Sequence, residues 1–595
     1  MRFLVFLISY LVLSTSIFAQ DDNLAKQYFN DGEYEKAIVY YEKLVQKNKT
    51  RTDYVETLVA CYQQLERYED AEKQLLKTLQ NRRPYPPIYV ELGYNATLKG
   101  DSVSTKKYYE QALEQVRKNP NYGYGIGERF QKYALLENSL EAYTTAMRLN
   151  PALDYNYQMA TVYGQQGNIE KMYTAYLNLV SGGRTSKSNV LRKIDAFITT
   201  DPANENNIKL KKILLENAQK NPEVLWNELL SWLFIQQKQY NAAFRQEKAI
   251  YKRLDGTSLQ RITNLGDITL QENEHDIAQE IFEYIIDKSN DEVSILDAKL
   301  NLIKIKLVEP NEKKLNEIQT QFEELIEYYG YENRTLQLQV AYANFLTFNK
   351  ETPEPAIAIL KKSLKLPINQ RGKAFIKMAL GDILVYDKKF NQALIYFSQI
   401  QKSLKNDVIG QDARYKVAQT SFYKGDFDWA LTQLKVLRSS TSQLIANDAM
   451  QLSLLISDNS LEDSTQTALK KYARADLLAY QNKNTAAIAE LTDILVNHKG
   501  EKIEDDALLK QGKLLEKLKD YEAAEFNYIK IIEFYSTGIL ADDAYFALGE
   551  LYRNTMDQPE SAKAQYEKII YNYQDSYYFP QARKNFRMLR GDAIN

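Results

Sequence analysis

Few side chains in this 595-residue chain could do covalent or acid–base chemistry. The only imidazoles are His275, in Glu272-Asn273-Glu274-His275-Asp276, and His498, in Asn497-His498-Lys499-Gly500. A nucleophile–base pair needs one of them beside a serine, threonine or cysteine. Both stand in turn-like segments far apart in sequence, and both read as solvated loop histidines. The single cysteine, Cys61, lies inside a helical segment and reads as a small buried hydrophobe. One cysteine and two histidines cannot supply a Cys₄ or Cys₂His₂ zinc site. Gly123-Tyr124-Gly125-Ile126-Gly127 is the one glycine cluster of note. It lacks the strand, helix and downstream acid of a dinucleotide loop, so it reads as a connection between elements. Paired carboxylates occur at Asp505-Asp506 and Asp542-Asp543. Asp412-Ala413, Asp448-Ala449, Asp506-Ala507 and Asp543-Ala544 repeat one local pattern, which points to helix capping rather than to acid/base work. The expectation is a chain with no catalytic residue, no cofactor and no metal.

The elements that position these side chains follow from composition. There are 22 glycines and 13 prolines in 595 residues, about half the usual share of each, so hairpins and tight turns are few. Tyrosine is abundant at 45 residues and tryptophan scarce at 3. With 76 Lys and Arg against 78 Asp and Glu, the net charge of −2 gives no long-range pull toward nucleic acid or anionic lipid. Basic residues adjoin only in pairs, such as Arg82-Arg83 and Lys313-Lys314. No nucleic-acid partner is expected.

The first twenty residues stand apart. Met1-Arg2, a largely apolar run from Phe3 to Leu13, and Ser14 to Gln20 with a small residue at Ala19 follow the layout of a secretory signal peptide. Residues 1–19 are expected to be removed on export. Cys61 lies far from that segment, so a lipid anchor on a cysteine directly after it is not expected. No later apolar run is long enough to span a bilayer.

A small-residue slot recurs at Ala37, Ala71, Thr105, Ser139 and Met172, spaced by 34 residues and then 33. It continues through Ala243, Ala278, Ala356, Ala393, Ala430, Ala487, Ala524 and Ala562. Two gaps, of 71 and 78 residues, are near double and imply a degenerate unit in each. A gap of 57 implies one repeat plus a single extra helix around Asn447 to Ser457. Ala544, Ala547, Leu548, Leu551 and Tyr552 form one helical face. Met556 to Gln558 break it, Pro559 opens the next helix, and Ala562, Tyr566, Ile569 and Ile570 form a second face. One such pair cannot bury both faces, but stacked neighbours can.

The pattern resembles the tetratricopeptide repeat family. Leu92-Gly93, Leu380-Gly381 and Leu548-Gly549 fill its Leu-Gly slots, Tyr28, Tyr62, Tyr163 and Tyr552 fill its eleventh, and Pro151 fills its closing position. The resemblance implies an all-α fold, a right-handed α-solenoid of about 13–15 helix pairs. The expected organisation is residues 1–19 as signal, 20–180 as a regular N-terminal array, 181–365 as a less regular middle segment, and 366–595 as an array of 37–38-residue repeats. Ser181 to Ser186 mark the first break, and Pro202, Pro222, Pro310, Pro353 and Pro355 mark loops in the middle. The C-terminal part is similar to bacterial envelope repeat proteins of the outer-membrane assembly lipoprotein D and Tol–Pal coordinator types. The segment from Tyr573 to Arg583 carries that likeness, with Gln574 where those proteins have proline.

In the family, the first helix of each pair lines a groove with its second, fifth, ninth, twelfth and thirteenth residues. At or near those slots stand Phe375, Met378, Asp382, Tyr386, Tyr415, Phe422, Tyr423, Lys513, Phe546, Glu550 and Arg553. Aromatic residues with polar punctuation suit an extended peptide or a helix. The clamp that binds chaperone tails is absent, because its first asparagine slot falls on Lys26. The resemblance implies a non-enzymatic scaffold or adaptor of the bacterial cell envelope, free in the periplasm or peripheral to the outer membrane, whose partners are envelope proteins or peptides. The alternative is a peptidoglycan- or glycan-binding protein, or an accessory subunit of an envelope enzyme.

Overall fold

The computed structural model describes residues 21–48, 51–80, 85–438, 442–460 and 465–592. The leader of residues 1–19 and the Arg82-Arg83 pair lie outside them. Among the described residues every regular element is a helix. The helices follow one another as fifteen pairs, with Gln443–Ser460 unpaired between the twelfth and thirteenth and Phe579–Arg590 after the last. The protein is an α-solenoid. The two double gaps hold irregular pairs: Lys187–Ile194 with Glu205–Lys220, and Glu292–Lys306 with Glu312–Tyr329. The extra helix lies where the 57-residue interval required it.

The helices fall into two compact units, one ending at Arg253 and the other beginning at Leu254. In the first, Tyr41, Leu58, Leu75 and Leu92 share one core cluster, and Phe130, Tyr143, Ala146 and Val162 share another. Arg129 ties three of its helices together. It donates to Glu56 at 2.7 Å and to Glu91 at 2.8 Å, and Glu91 also accepts from the Tyr133 hydroxyl. In the second unit one continuous core runs from Leu296 to Leu514 and another from Leu508 to Ala582.

Each regular pair is locked by one contact that sequence spacing dictates. A glycine in the first helix faces an aromatic ring sixteen or seventeen residues later: Gly93 and Tyr109, Gly127 and Tyr143, Gly381 and Phe397, Gly512 and Tyr528, Gly549 and Tyr566. A Cβ on Gly512 would lie 2.6 Å from the Tyr528 ring, and one on Gly549 would lie 2.8 Å from Tyr566. Both are inside van der Waals contact, so only glycine lets the helices close. Two pairs of the second unit carry an alanine and a slimmer leucine at these places instead: Ala418 with Leu434, and Ala475 with Leu491. The recurring small-residue slot is buried in the same seam, from Ala37 to Ala562, with Thr105 alone half-buried.

The turn inside a pair closes seven residues after the glycine, on a residue with left-handed backbone. Gly100 and Gly425 take that place (φ 83° and 82°), but so do Ala134, Lys388, Asn482 and Lys519 (φ 56°, 57°, 60° and 64°). Non-glycine residues here cost about 1–2 kcal/mol each, a local strain that the packed seam overrides. This is how a solenoid with so many turns holds so little glycine.

Two expected loops are helical. Gly123–Lys132 is a helix, because Gly123 abuts Ala146 and Gly127 abuts Tyr143, so these glycines serve packing. Pro353 and Pro355 stand in the first turn of Pro353–Ser363, where missing N–H groups cost nothing. Replacing Gly512 with alanine should lower stability by about 1–3 kcal/mol through overpacking against Tyr528. Adding Tyr528→Leu should recover part of it, as the native alanine–leucine pairs do; chemical denaturation of the single and double variants measures both.

Candidate functional site

The glycine–aromatic seam also sets the register of the surface. With the seam residue counted as eighth in the first helix, the second slot holds Phe375, Asp412, Asp506 and Asp543 in regular repeats of the second unit. The fifth holds Met378, Tyr415, Tyr472, Leu509 and Phe546. The ninth holds Asp382, Asp476, Lys513 and Glu550. Residues two, five and nine are three or four apart, so they share one helical face. Stacking the helices lays these slots side by side.

A groove of about 470 Å³ opens on that face between Val408–Lys424, Gln443–Ser460, Thr467–Tyr480, Ile503–Lys517 and Ala541–Asn554. Its walls are Tyr415, Tyr472, Tyr578, Leu452, Leu455 and Leu509. Its charged lining is Asp448, Asp458, Asp476, Asp506 and Asp543 against Lys510 and Lys513. Lys510 pairs with Asp476, and Asn459 donates to Asp506 at 3.1 Å. The Tyr578 hydroxyl donates to Asp543 at 2.9 Å, and its ring stacks on Phe546 at 4.3 Å. Exposed Ile539 and Leu454 form an apolar rim.

Five aspartates against two lysines make the groove acidic, and burial makes that charge costly. Asp506 is pushed up to about 7, first by burial and then by Asp505, with Asp458 and Asp543 adding to it and Asn459 opposing. Burial raises Asp448 as well. It raises Asp543 against the pull of Lys513 and Tyr578. Asp412, just beyond the groove, is raised by burial and by Asp448, with Lys416 opposing.

The aspartates of the recurring Asp-Ala pattern are therefore not helix caps. Asp412 is the fifth residue of Val408–Lys424, whose cap is Asp407, and Asp448 is the sixth of Gln443–Ser460. Asp506 and Asp543 do stand in first turns, but their side chains face the groove. Of the four, Asp448, Asp506 and Asp543 line the groove and Asp412 lies beyond it.

The aromatic and polar residues expected at the groove divide. Tyr415 and Lys513 line it, and Phe546 backs Tyr578 at its edge. Glu550 accepts from Tyr566 at 2.6 Å and from Asn585 at 2.7 Å, with half-buried Arg553 on the same helix. Phe375 is 43% exposed and lines a separate cavity of about 620 Å³ with Asp267, Asp297, Lys304 and Phe348. Met378 packs half-buried against the core. Asp382 pairs with Lys416 at 2.9 Å.

Tyr386, Phe422 and Tyr423, at the twelfth and thirteenth slots, are buried and offer a partner no surface. Tyr480 and Gln481, at the far end of Thr467–Tyr480, lie against Tyr386 and Tyr423. Gln481 donates to the Tyr386 carbonyl at 2.6 Å, and the Tyr480 ring lies 6.2 Å from that of Tyr423. Phe422 is 0% exposed among core side chains. Tyr472, Asp476 and Tyr578 line the groove without having been expected there. The first two sit at the fifth and ninth slots of a helix with no Leu-Gly pair to mark it.

The histidines are less solvated than expected. His275 opens His275–Lys288 half-buried, its Nδ1 without a partner, and His498 Nδ1 lies 2.9 Å from Glu501. Cys61 is fully buried, and burial pushes its thiol up to about 12. Among the described residues no group of three or more His, Cys, Asp or Glu is placed to hold a metal ion. None of the described helices is long and apolar enough to cross a membrane.

Residues 22–50, 506–537 and 543–576 match the tetratricopeptide repeat family. Each of these three segments is similar to a tetratricopeptide repeat. The second and third matches hold the groove residues Asp506, Lys510, Lys513 and Asp543. No curated protein matches the chain in sequence. Similar solved structures include the crystal structure of the APC/C hetero-tetramer Cut9-Hcn1, at 14% identity over 93% of this chain and 98% of that one, with a TM-score of 0.23. The structure of Naa15/Naa10 bound to HypK-THB is similar at 12% identity over 96% of each chain, with a TM-score of 0.25.

Asp506 yields a pH-dependent prediction. Its carboxyl is raised in the folded chain from the ordinary 3.8, so its contribution to stability is fullest below that value and is lost as pH rises through about 7. Asp506→Asn should therefore stabilise the second unit by about 1–2 kcal/mol at pH 8 and by almost nothing at pH 4. Thermal unfolding of both proteins across that range checks it.

Proposed function

We propose that this protein is a non-enzymatic interaction scaffold that holds protein partners in the groove of its C-terminal helix stack. The observation that carries this reading is the groove itself. Side chains from five helices converge there, and aromatic, aliphatic and charged groups are mixed as in surfaces that recognise extended segments. Tetratricopeptide-repeat matches that include Asp506, Lys510, Lys513 and Asp543 support the reading. The seam explains why such a fold suits the role. It fixes the helices rigidly and leaves slots two, five and nine free to vary.

Export to the bacterial periplasm is part of the proposal and rests on the layout of residues 1–19. Work at the inner face of the outer membrane, in assembly or secretion, rests on the sequence likeness of residues 573–583 to envelope repeat proteins.

Affinity capture from solubilised membranes tests the reading. The chain from Gln20 onward should retain a discrete set of envelope proteins, and removal of residues 366–595 should abolish their capture. Equal capture without that segment would place recognition elsewhere. Turnover of cell-wall glycan fragments by the purified chain would replace the scaffold with an enzyme.

A further inference from the structure

We infer that the C-terminal groove is a receptor for a cationic segment, one lysine or arginine side chain of an extended partner peptide seated between Tyr415, Tyr472 and Tyr578. This deepens the scaffold reading and rests on it.

Charge complementarity comes first. The groove gathers five carboxylates on facing helices and answers them with two ammonium groups, one of which is bound to Asp476. Asp448 lines the groove and forms no ion pair with any of the described residues. Carboxylates held this close in a half-buried site lack a positive charge, and an incoming cation would supply it.

A second, independent observation lies at the floor. Tyr472 is 8% exposed, yet its hydroxyl makes no hydrogen bond to any of the described residues. It lines the groove beside Asp476 and Asp506. A tyrosine side chain buried to this degree normally finds a partner for its hydroxyl. Here the open direction is the groove, and a peptide carbonyl or a side chain of the ligand would complete it.

The walls decide what kind of cation fits. Tyr415 and Tyr578 put aromatic side chains in the walls beside an incoming ammonium or guanidinium, and Leu452, Leu455 and Leu509 offer apolar surface to the methylene stem. Ile539 and Leu454 extend that apolar surface outward along the rim. A bare ion has no use for such walls, and the described carboxylates are not clustered for metal coordination. A side chain carried on a backbone uses all three features.

The test is titration of the full chain with two labelled peptides of equal length, one lysine-rich and one glutamate-rich. The lysine peptide should bind saturably, at least about tenfold more tightly than its acidic counterpart, and should weaken with added salt. Asp448→Asn combined with Asp506→Asn should lose about tenfold in affinity, with thermal unfolding showing an intact fold. Tyr472→Phe, which removes one hydroxyl, should lose about threefold or more. Equal affinity for both peptides, no binding of either, or full affinity in the double variant would overturn the inference, as would displacement of the lysine peptide by spermine at equal concentration. If membrane partners still require residues 366–595 but are captured equally by the double variant, the cationic inference fails while the scaffold stands. If capture never required that segment, the scaffold reading fails first.

Discussion

The contact between a glycine of one helix and an aromatic ring of the next governs this structure. Gly512 and Tyr528, or Gly549 and Tyr566, approach so closely that a single added carbon would collide with the ring. That closeness sets how two helices cross, which residues face inward, and where the turn between them must fold back. At Tyr528 and Tyr566 the hydroxyl then reaches past the seam to a carboxylate of the same pair, Glu516 and Glu550. One side chain fills the apolar seam with its ring and anchors a polar group at its tip. Tyrosine abundance and glycine scarcity are two sides of that design.

The same seam fixes the groove. Once the eighth residue of a helix is held against its partner, its second, fifth and ninth residues share one accessible face. In the C-terminal repeats those slots hold Asp506, Asp543, Tyr415, Tyr472, Asp476 and Lys513. Several of the carboxylates are raised by burial rather than relaxed by ion pairs. A fold optimised for stability alone would not keep them; stability has been exchanged for a charged, aromatic-walled surface.

Much of the fold was legible in the chain itself. The spacing of Ala37, Ala71, Ala393 and Ala562 gave the helix-pair period, and the irregular intervals located both degenerate pairs and the extra helix Gln443–Ser460. The groove was legible only in part. Tyr415 and Lys513 follow from the slot pattern, but Asp412 and Asp448 look like caps until the helix starts are known, since a shift of five residues separates a cap from an inward-facing slot. Tyr386 fits the slots and is nonetheless buried, with Gln481, almost a hundred residues away, donating to its carbonyl, and Phe422 is buried against Phe427 of its own pair. Local periodicity carries no record of such contacts. Tyr472 and Asp476 stand on a helix where Ala475 takes the place of the glycine, as Ala418 does in Val408–Lys424.

If partners are held by the second, fifth and ninth slots of the C-terminal first helices, their binding must shield those helices from solvent. Hydrogen–deuterium exchange of the full chain, with and without a captured partner, tests this most directly. New protection should concentrate in Val408–Lys424, Thr467–Tyr480, Ile503–Lys517 and Ala541–Asn554, strongest around Tyr415, Tyr472 and Asp506. Protection confined to the second helices, such as Tyr521–Phe534 and Pro559–Asn572, or to residues before Leu254, would contradict it.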